Sequence, residues 1–317
     1  MKELRVTLEM VTPMFLGGAT PEPPLLRAQP FRGQLRYWLR TLRGSGISSE
    51  EELRSAEGRV FGDTKVGSLV NVRVFPATGQ PLEKQPRLVV PHSKIFTSQA
   101  FWNGKTHQEI ILNLIARPGH LEIPDDALAA LILWVNLGGI GRRSRRGFGS
   151  LRVAKATSNS ENLPNGFSQA IYPLLPKDGE ELVNQMRNSV GWALKSVPTG
   201  VAPIPGFPAF VKRQTQVLVC REALDSDYEK AMKRFWNEKL RSHGLADDVA
   251  YGYADNHRTP KRWASPLHVH IARSEKGFHL VLTNFETIPS AGGKTGVVKR
   301  QDLLAACKSD YHGEFVW

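Results

Sequence analysis

The chain has 317 residues, enough for two domains of ordinary size or one large one. Hydrophobic residues make up 41%, which excludes wholesale disorder. Lys and Arg number 42 against 30 Asp and Glu, a net charge of +12, so a polyanion is favoured as partner, nucleic acid before a membrane surface. Two cysteines, Cys220 and Cys307, exclude a disulfide scaffold and a cysteine-based zinc finger and fit a reducing cytosol. Met1-Lys2-Glu3-Leu4-Arg5 alternates charged and apolar residues like a strand, not a signal peptide. No apolar run reaches membrane-span length, and a cytoplasmic protein is expected.

Leu4, Val6, Leu8 and Met10 alternate with polar residues and predict a half-buried strand. A long glycine- and proline-rich loop follows, with Gly17, Gly18, Pro21, Pro23 and Pro24. The spacing of Leu35, Trp38, Leu39 and Leu42 predicts a helix from Phe31 to Leu42. Beside that stripe runs a second one of Arg32, Arg36, Arg40 and Arg43, with no acidic partners at i+4. Residues 48–68 read as a charged insertion with a short helix near Ser49–Glu57. Strands are predicted at Val70–Val74, at Leu88–Val90 and at Ile110–Ala116. Pro124-Asp125-Asp126 opens a helix running to Leu137, apolar on most sides and therefore buried. A strand at Ser150–Ala156 closes the half. The order strand, helix, strand, strand, helix, strand is that of a split βαβ, ferredoxin-like domain.

Residues 157–166 read as a linker. Beyond it the pattern is weaker. Ser189–Ser196 suggests a strand or hairpin, Val197–Pro208 is irregular, and Val211, Val217 and Val219 suggest strand. Ser226–Leu240 is a predicted helix capped by Asp225 or Ser226. Pro266–Ile271 and Phe278–Leu282 form a predicted hairpin, and Arg300–Lys308 a last helix. The whole reads as α+β, with a second α+β domain after the first.

The most distinctive stretch joins the apolar helix to the strand at 150: Gly139-Ile140-Gly141-Arg142-Arg143-Ser144-Arg145-Arg146-Gly147-Phe148-Gly149. Four arginines on a short loop repel one another unless an anion sits among them. Flexible backbone N–H groups and guanidinium forks suit a chain of phosphates. Arg142, Arg143, Arg145 and Arg146 are thus the leading RNA-binding candidates, framed by Gly139, Gly141 and Gly147. Tyr37, Trp38 and Phe148 are nearby aromatics for which core packing is favoured. Gly292-Gly293-Lys294-Thr295 lacks the first glycine of a nucleotide P-loop, since Ile288 stands there; a surface turn, or a loop offering Lys294 to RNA, is expected. His268 and His270 share a strand face, with Asp255 and His257 upstream, but nothing fixes four converging ligands, so surface histidines are expected and no metal or cofactor. His92, Lys94 and His107 are the candidates for nucleolytic acid–base chemistry, and none lies on the basic loop or helix.

Gly-Ile-Gly, five residues, Gly-Phe-Gly after an apolar helix resembles the glycine-rich signature of RAMP proteins, the repeat-associated proteins of CRISPR systems. The runs Thr12-Pro13-Met14-Phe15-Leu16-Gly17-Gly18-Ala19 and Phe31-Arg32-Gly33-Gln34-Leu35-Arg36-Tyr37-Trp38-Leu39-Arg40 further resemble the first-subunit family of type III-B Cmr effector complexes. The resemblance covers the N-terminal half. It implies two ferredoxin-like (RRM-like) domains, at 1–157 and 165–317. It implies a non-catalytic RNA-binding subunit at the 3′ end of an antiviral ribonucleoprotein, contacting CRISPR RNA, paired target RNA and neighbouring Cmr subunits. The RNA contacts carried over are the loop arginines and Arg32, Arg36 and Arg40. A metal-independent RAMP endoribonuclease and a free-standing RNA-binding module are the alternatives.

Overall fold

The computed structural model describes residues 2–17, 25–89, 97–102, 108–120, 122–159, 163–172, 174–195, 207–242, 265–286 and 293–317. Two four-stranded sheets and a helical layer between them make up most of it. The first sheet contains β1 (Glu3–Met10), β2 (Val70–Pro76), β5 (Glu109–Ala116) and β6 (Leu151–Ser158), in the order β2-β5-β1-β6, with every neighbour antiparallel. The short strands β3 (Lys84–Val89) and β4 (Thr97–Phe101) pair apart from it. Alternation decides which face is buried: Leu4, Val6, Leu8 and Met10 point to the core, while Arg5 stays in solvent.

Two helices cover the core face. α1 (Ala28–Arg43) starts a turn earlier than the sequence suggests and buries Phe31, Leu35, Trp38, Leu39 and Leu42. α3 (Asp125–Leu137) is buried on nearly all sides, as an apolar helix must be when it lies between layers. The predicted insertion helix is α2 (Glu50–Phe61). Ser49 Oγ accepts from the Glu52 amide at 3.1 Å, and Glu50, Glu51 and Glu52 occupy its first turn, where the helix dipole favours anions.

The second sheet has the order β10-β7-β9-β8 and is likewise antiparallel, built from β7 (Thr215–Cys220), β8 (Leu267–Ser274), β9 (Gly277–Phe285) and β10 (Gly313–Phe315). Both of its faces are covered. Val217, Val219, Val281 and Phe285 join the core formed by α1, α3 and α5 (Gly179–Leu194). Leu218, Val269, Ile271 and Leu280 join a second core with α6 (Tyr228–Arg234), the π-helical turn Phe235–Arg241 that continues it, and α7 (Gly293–Asp310).

Three expectations are corrected. Ser189–Leu194, expected as part of a strand or hairpin, is the end of helix α5. Leu182, Val183, Met186 and Val190 recur at helical spacing, and Asp178 caps the start by accepting from the Glu181 amide at 2.9 Å. The linker 157–166 begins two residues late, because β6 runs to Ser158, and it ends in a short helix, α4 (Phe167–Ile171). Gly293 and Lys294 open α7 and are not a surface turn. Residues 197–206 lie outside the described residues, as do His92, Lys94, His107, Asp255 and His257. No helix among the described residues is long and apolar enough to cross a membrane.

A buried carboxylate ties the two sheets. Glu9, 4% exposed on β1, accepts from Arg152 on β6 and, at 2.8 Å, from Arg273 Nη1 on β8. Removing one partner of such a set leaves buried charge uncompensated, which costs about 3 kcal/mol. Glu9→Gln should therefore lower urea-unfolding stability by roughly 2–3 kcal/mol. A loss under about 0.5 kcal/mol would reduce the clamp to an ordinary surface pair.

Candidate nucleic-acid interface

The basic loop lies at the junction of the two sheets. Its shape depends on backbone that approaches too closely for side chains. Gly141 has φ +87°, and a Cβ there would stand 2.4 Å from the Phe15 carbonyl oxygen; Gly149 has φ +65°, and a Cβ there would stand 2.0 Å from that of Ile140. Arg142 donates its amide to Phe15 O at 3.0 Å, and Gly149 to Pro13 O at 2.8 Å. The Pro13–Phe15 segment that follows β1 is thus packed beside the basic loop. On its other side the loop pairs with the outer edge of β8. Val269 donates to Arg145 O at 3.1 Å, and Gly147 donates to Val269 O at 3.0 Å. These bonds also cover a strand edge that would otherwise be open.

Phe148 is fully buried and meets Phe15 at 5.3 Å between ring centres, so it anchors the loop and does not face a ligand. The four arginines between the glycines are all partly exposed. Arg145 lies over the Tyr37 ring at 5.2 Å and Arg146 over Trp236 at 5.9 Å, both within cation–π range. Arg143 has φ +63°, a conformation unfavourable for a side-chain-bearing residue. Burial first, then repulsion from Arg142 and Arg146, pulls its guanidinium down to about 10. Like charge is thus crowded at the junction.

Between α1, the loop and β8 sits a cleft of 270 Å³, lined by Gln34, Tyr37, Trp38, Ser144, Arg145 and His268 among others. Sequence reasoning did not foresee it, because its walls come from three distant segments. Tyr37 OH and His268 Nε2 are 3.1 Å apart and their rings are nearly parallel. The Trp38 indole N–H is buried and has no hydrogen-bond acceptor among the described residues. Trp38 itself packs on Phe210, His268 and Phe285, as expected of a core residue.

The α1 arginines have acceptors that local spacing cannot show. Arg36 and Arg40 both pair with Glu57 of α2, Arg40 at 2.5 Å, and Arg32 donates to the Phe61 carbonyl. Arg43 forks onto Asp126 of α3 at 2.5 and 2.9 Å. Arg36 and Arg40 still expose about a third of their side chains (34% and 30%) and line an 850 Å³ cleft bounded by α2 and residues 63–65. The Lys294 side chain lies outside the described residues.

His268 and His270 are not surface residues. They are 3% and 2% exposed, and His270 Nδ1 is 2.6 Å from Gly138 O. Spacing placed them on one face but could not reveal what packs on it. Among the described residues no group of three or more His, Cys, Asp or Glu side chains is placed to hold a metal ion.

Residues 7–152 match the RAMP superfamily model. The chain is 32% identical over 159 residues to the CRISPR system Cmr subunit Cmr1-1 of Pyrococcus furiosus, an alignment covering 44% of each. It is 26% identical over 179 residues to Cmr1-2 of the same organism, covering 48% of this chain and 96% of that one. The chain thus spans about half the length of the first relative in its match. The apo crystal structure of P. furiosus Cmr1 superimposes with a TM-score of 0.63 at 18% identity, covering 99% of this chain and 98% of that one. A chain of a type III-B Cmr-β complex bound to cognate target RNA superimposes with 0.65 at 12%, covering 96% and 99%. Residues 7–152 thus resemble the RAMP superfamily, and the chain is similar to Cmr1 proteins in sequence over its matched part and in fold.

Burial lowers the His270 pKa to about 4, against the hydrogen bond to Gly138 that raises it. A histidine depressed in the folded state takes up its proton first in the unfolded chain. Stability is therefore intact above about pH 6.5 and falls as pH drops toward 4, by up to ~1.4 kcal/mol per unit for each such histidine. His268 is also held well below the usual histidine range, by burial and then by Arg145. His270→Gln, which keeps a donor for Gly138, should flatten the fall between about pH 6 and 4.5 by ~1 kcal/mol per unit in urea titrations. An unchanged slope would show that His270 is not neutral in the fold.

Proposed function

We propose that this chain is a non-catalytic RNA-binding subunit of a type III-B CRISPR (Cmr) effector ribonucleoprotein. In this reading it contacts the 3′ region of CRISPR RNA and its paired target RNA and sits beside a neighbouring RAMP subunit. The observation that carries it is the Gly139–Gly149 loop, where four crowded arginines are fixed by backbone bonds at the mouth of a polar cleft. Backbone-fixed cations suit phosphates, which position a strand without specifying its sequence. The cleft beneath suits one nucleotide unit, with Arg145, held over the Tyr37 ring, in its wall. Arg32, Arg36, Arg40 and Lys294 are secondary contacts on this reading. Residues 1–157 and 165–317 are read as two ferredoxin-like domains, each built on one sheet.

The rival reading is an endoribonuclease. His268, the histidine of the cleft, is buried and held by Tyr37, with its protonated form strongly disfavoured by burial and by Arg145. That supports recognition over proton transfer.

Replacing Arg142, Arg143, Arg145 and Arg146 by alanine leaves the loop backbone bonds in place. For single strands, each neutralised phosphate contributes about −0.7 to the slope of log affinity against log salt. The quadruple variant should lose up to about 3 from that slope and bind RNA at least tenfold more weakly at low salt. An unchanged slope would remove the loop as the main contact. Arg143→Gly should also raise the stability of the free protein by about 1 kcal/mol while weakening RNA binding. A destabilised variant would contradict the crowding argument.

A further inference from the structure

The two sheets differ in one respect. The second has helices or core on both faces, whereas the face of the first turned away from α1 and α3 exposes polar and charged side chains on β1, β2 and β6, with Ile111, Asn113 and Ile115 of β5 buried between them. Its residues can be mapped by register. One row across the sheet holds Arg73, Asn113, Arg5 and Thr157. The next holds Phe75, Ile111, Thr7 and Lys155. Strand spacing of about 4.8 Å puts Arg73 and Arg5 about 10 Å apart, and Lys155 about 14 Å across from Phe75.

Arg5, Arg73 and Lys155 are exposed, and none of them lies within ion-pairing distance of a carboxylate among the described residues. Of the acids on the same face, Glu109 is half-exposed at the start of β5, and the other two are engaged. Glu3 accepts from Asn113, and Glu9 is clamped by Arg152 and Arg273. The most exposed charges on this face, Arg5, Arg73 and Lys155, are therefore cationic. Phe75 is 36% exposed, unusual for a large aromatic on an open sheet. The Arg5 guanidinium reaches across β5 to within 5.6 Å of its ring centre. An exposed ring at one edge, with cations spread across three strands, is the pattern by which sheets hold single-stranded RNA: bases stack on the ring and the backbone follows the cations.

We infer that the open face of the first sheet is a second single-stranded RNA contact, separate from the loop cleft, with Phe75 as stacking platform and Arg5, Arg73 and Lys155 as the phosphate track. The inference rests on the RNA reading of the chain for its polymer, but uses none of the loop residues.

The test measures binding of a fluorescein-labelled 20-nucleotide uridine RNA to the full chain against salt. One variant carries Arg5→Ser, Arg73→Ser and Lys155→Ser; another carries Phe75→Ser; the loop quadruple variant is the reference. The triple variant should lose about 2 from the salt slope. Phe75→Ser should weaken binding about fivefold or more with the slope unchanged. Ultraviolet crosslinking of the unaltered chain should map to a peptide containing residues 71–76, a readout that stands even if the triple variant fails to fold. If only the loop variant weakens binding and no crosslink maps to 71–76, the sheet-face contact is overturned and the loop reading survives. If no variant alters binding, both are overturned.

Discussion

Two backbone hydrogen bonds between the basic loop and Val269 of β8 set the geometry on which the rest depends. They make the loop a short extra rung on the edge of the second sheet while its two ends remain part of the first half. The close approaches at Gly141 and Gly149 follow from this, since the chain must turn sharply past Phe15 and Ile140 to reach β8. So does the cleft, whose walls meet only because the loop holds α1 and β8 together. Four like charges would normally push such a segment into solvent. Backbone pairing keeps them at the junction, where their repulsion favours an anionic ligand.

The junction is rigid for a further reason. Glu9, Arg152 and Arg273 form a buried ionic knot below the loop, and Ser150 Oγ accepts from the Ile271 amide at 3.1 Å. Trp38 fills the space between α1 and the second sheet. The two sheets thus share one hydrophobic core, with α3 in its middle. A site built on such a frame is preorganised, so a ligand binding there would lose less ordering entropy.

Much of the first half was legible in the sequence because its signals are local. β1 alternates cleanly, α3 is apolar all round, and the glycine brackets announce a special backbone. The second half depends on long-range packing. Helix α5 looked like a strand at its end because Val190 and Trp192 are good strand formers, and tertiary burial of Leu182, Val183 and Met186 overrode that local preference. The site was legible only in part. The loop arginines were visible as a cluster, but the Glu57 that pairs with Arg36 and Arg40 lies on another helix. His268 and His270 were read as surface residues because two-residue spacing gives a face without saying what covers it.

The claim that binds these observations is that the loop is fixed in the free protein and receives RNA there. Hydrogen–deuterium exchange on the full chain, alone and with a saturating single-stranded RNA, tests it most directly. In the free protein the amides of Gly147 and Val269 should exchange as slowly as those of β1. RNA should then add protection to 33–40, 142–148 and the start of β8. Fast exchange at Gly147 and Val269 in the free protein, with no RNA-dependent change in those segments, would contradict the account.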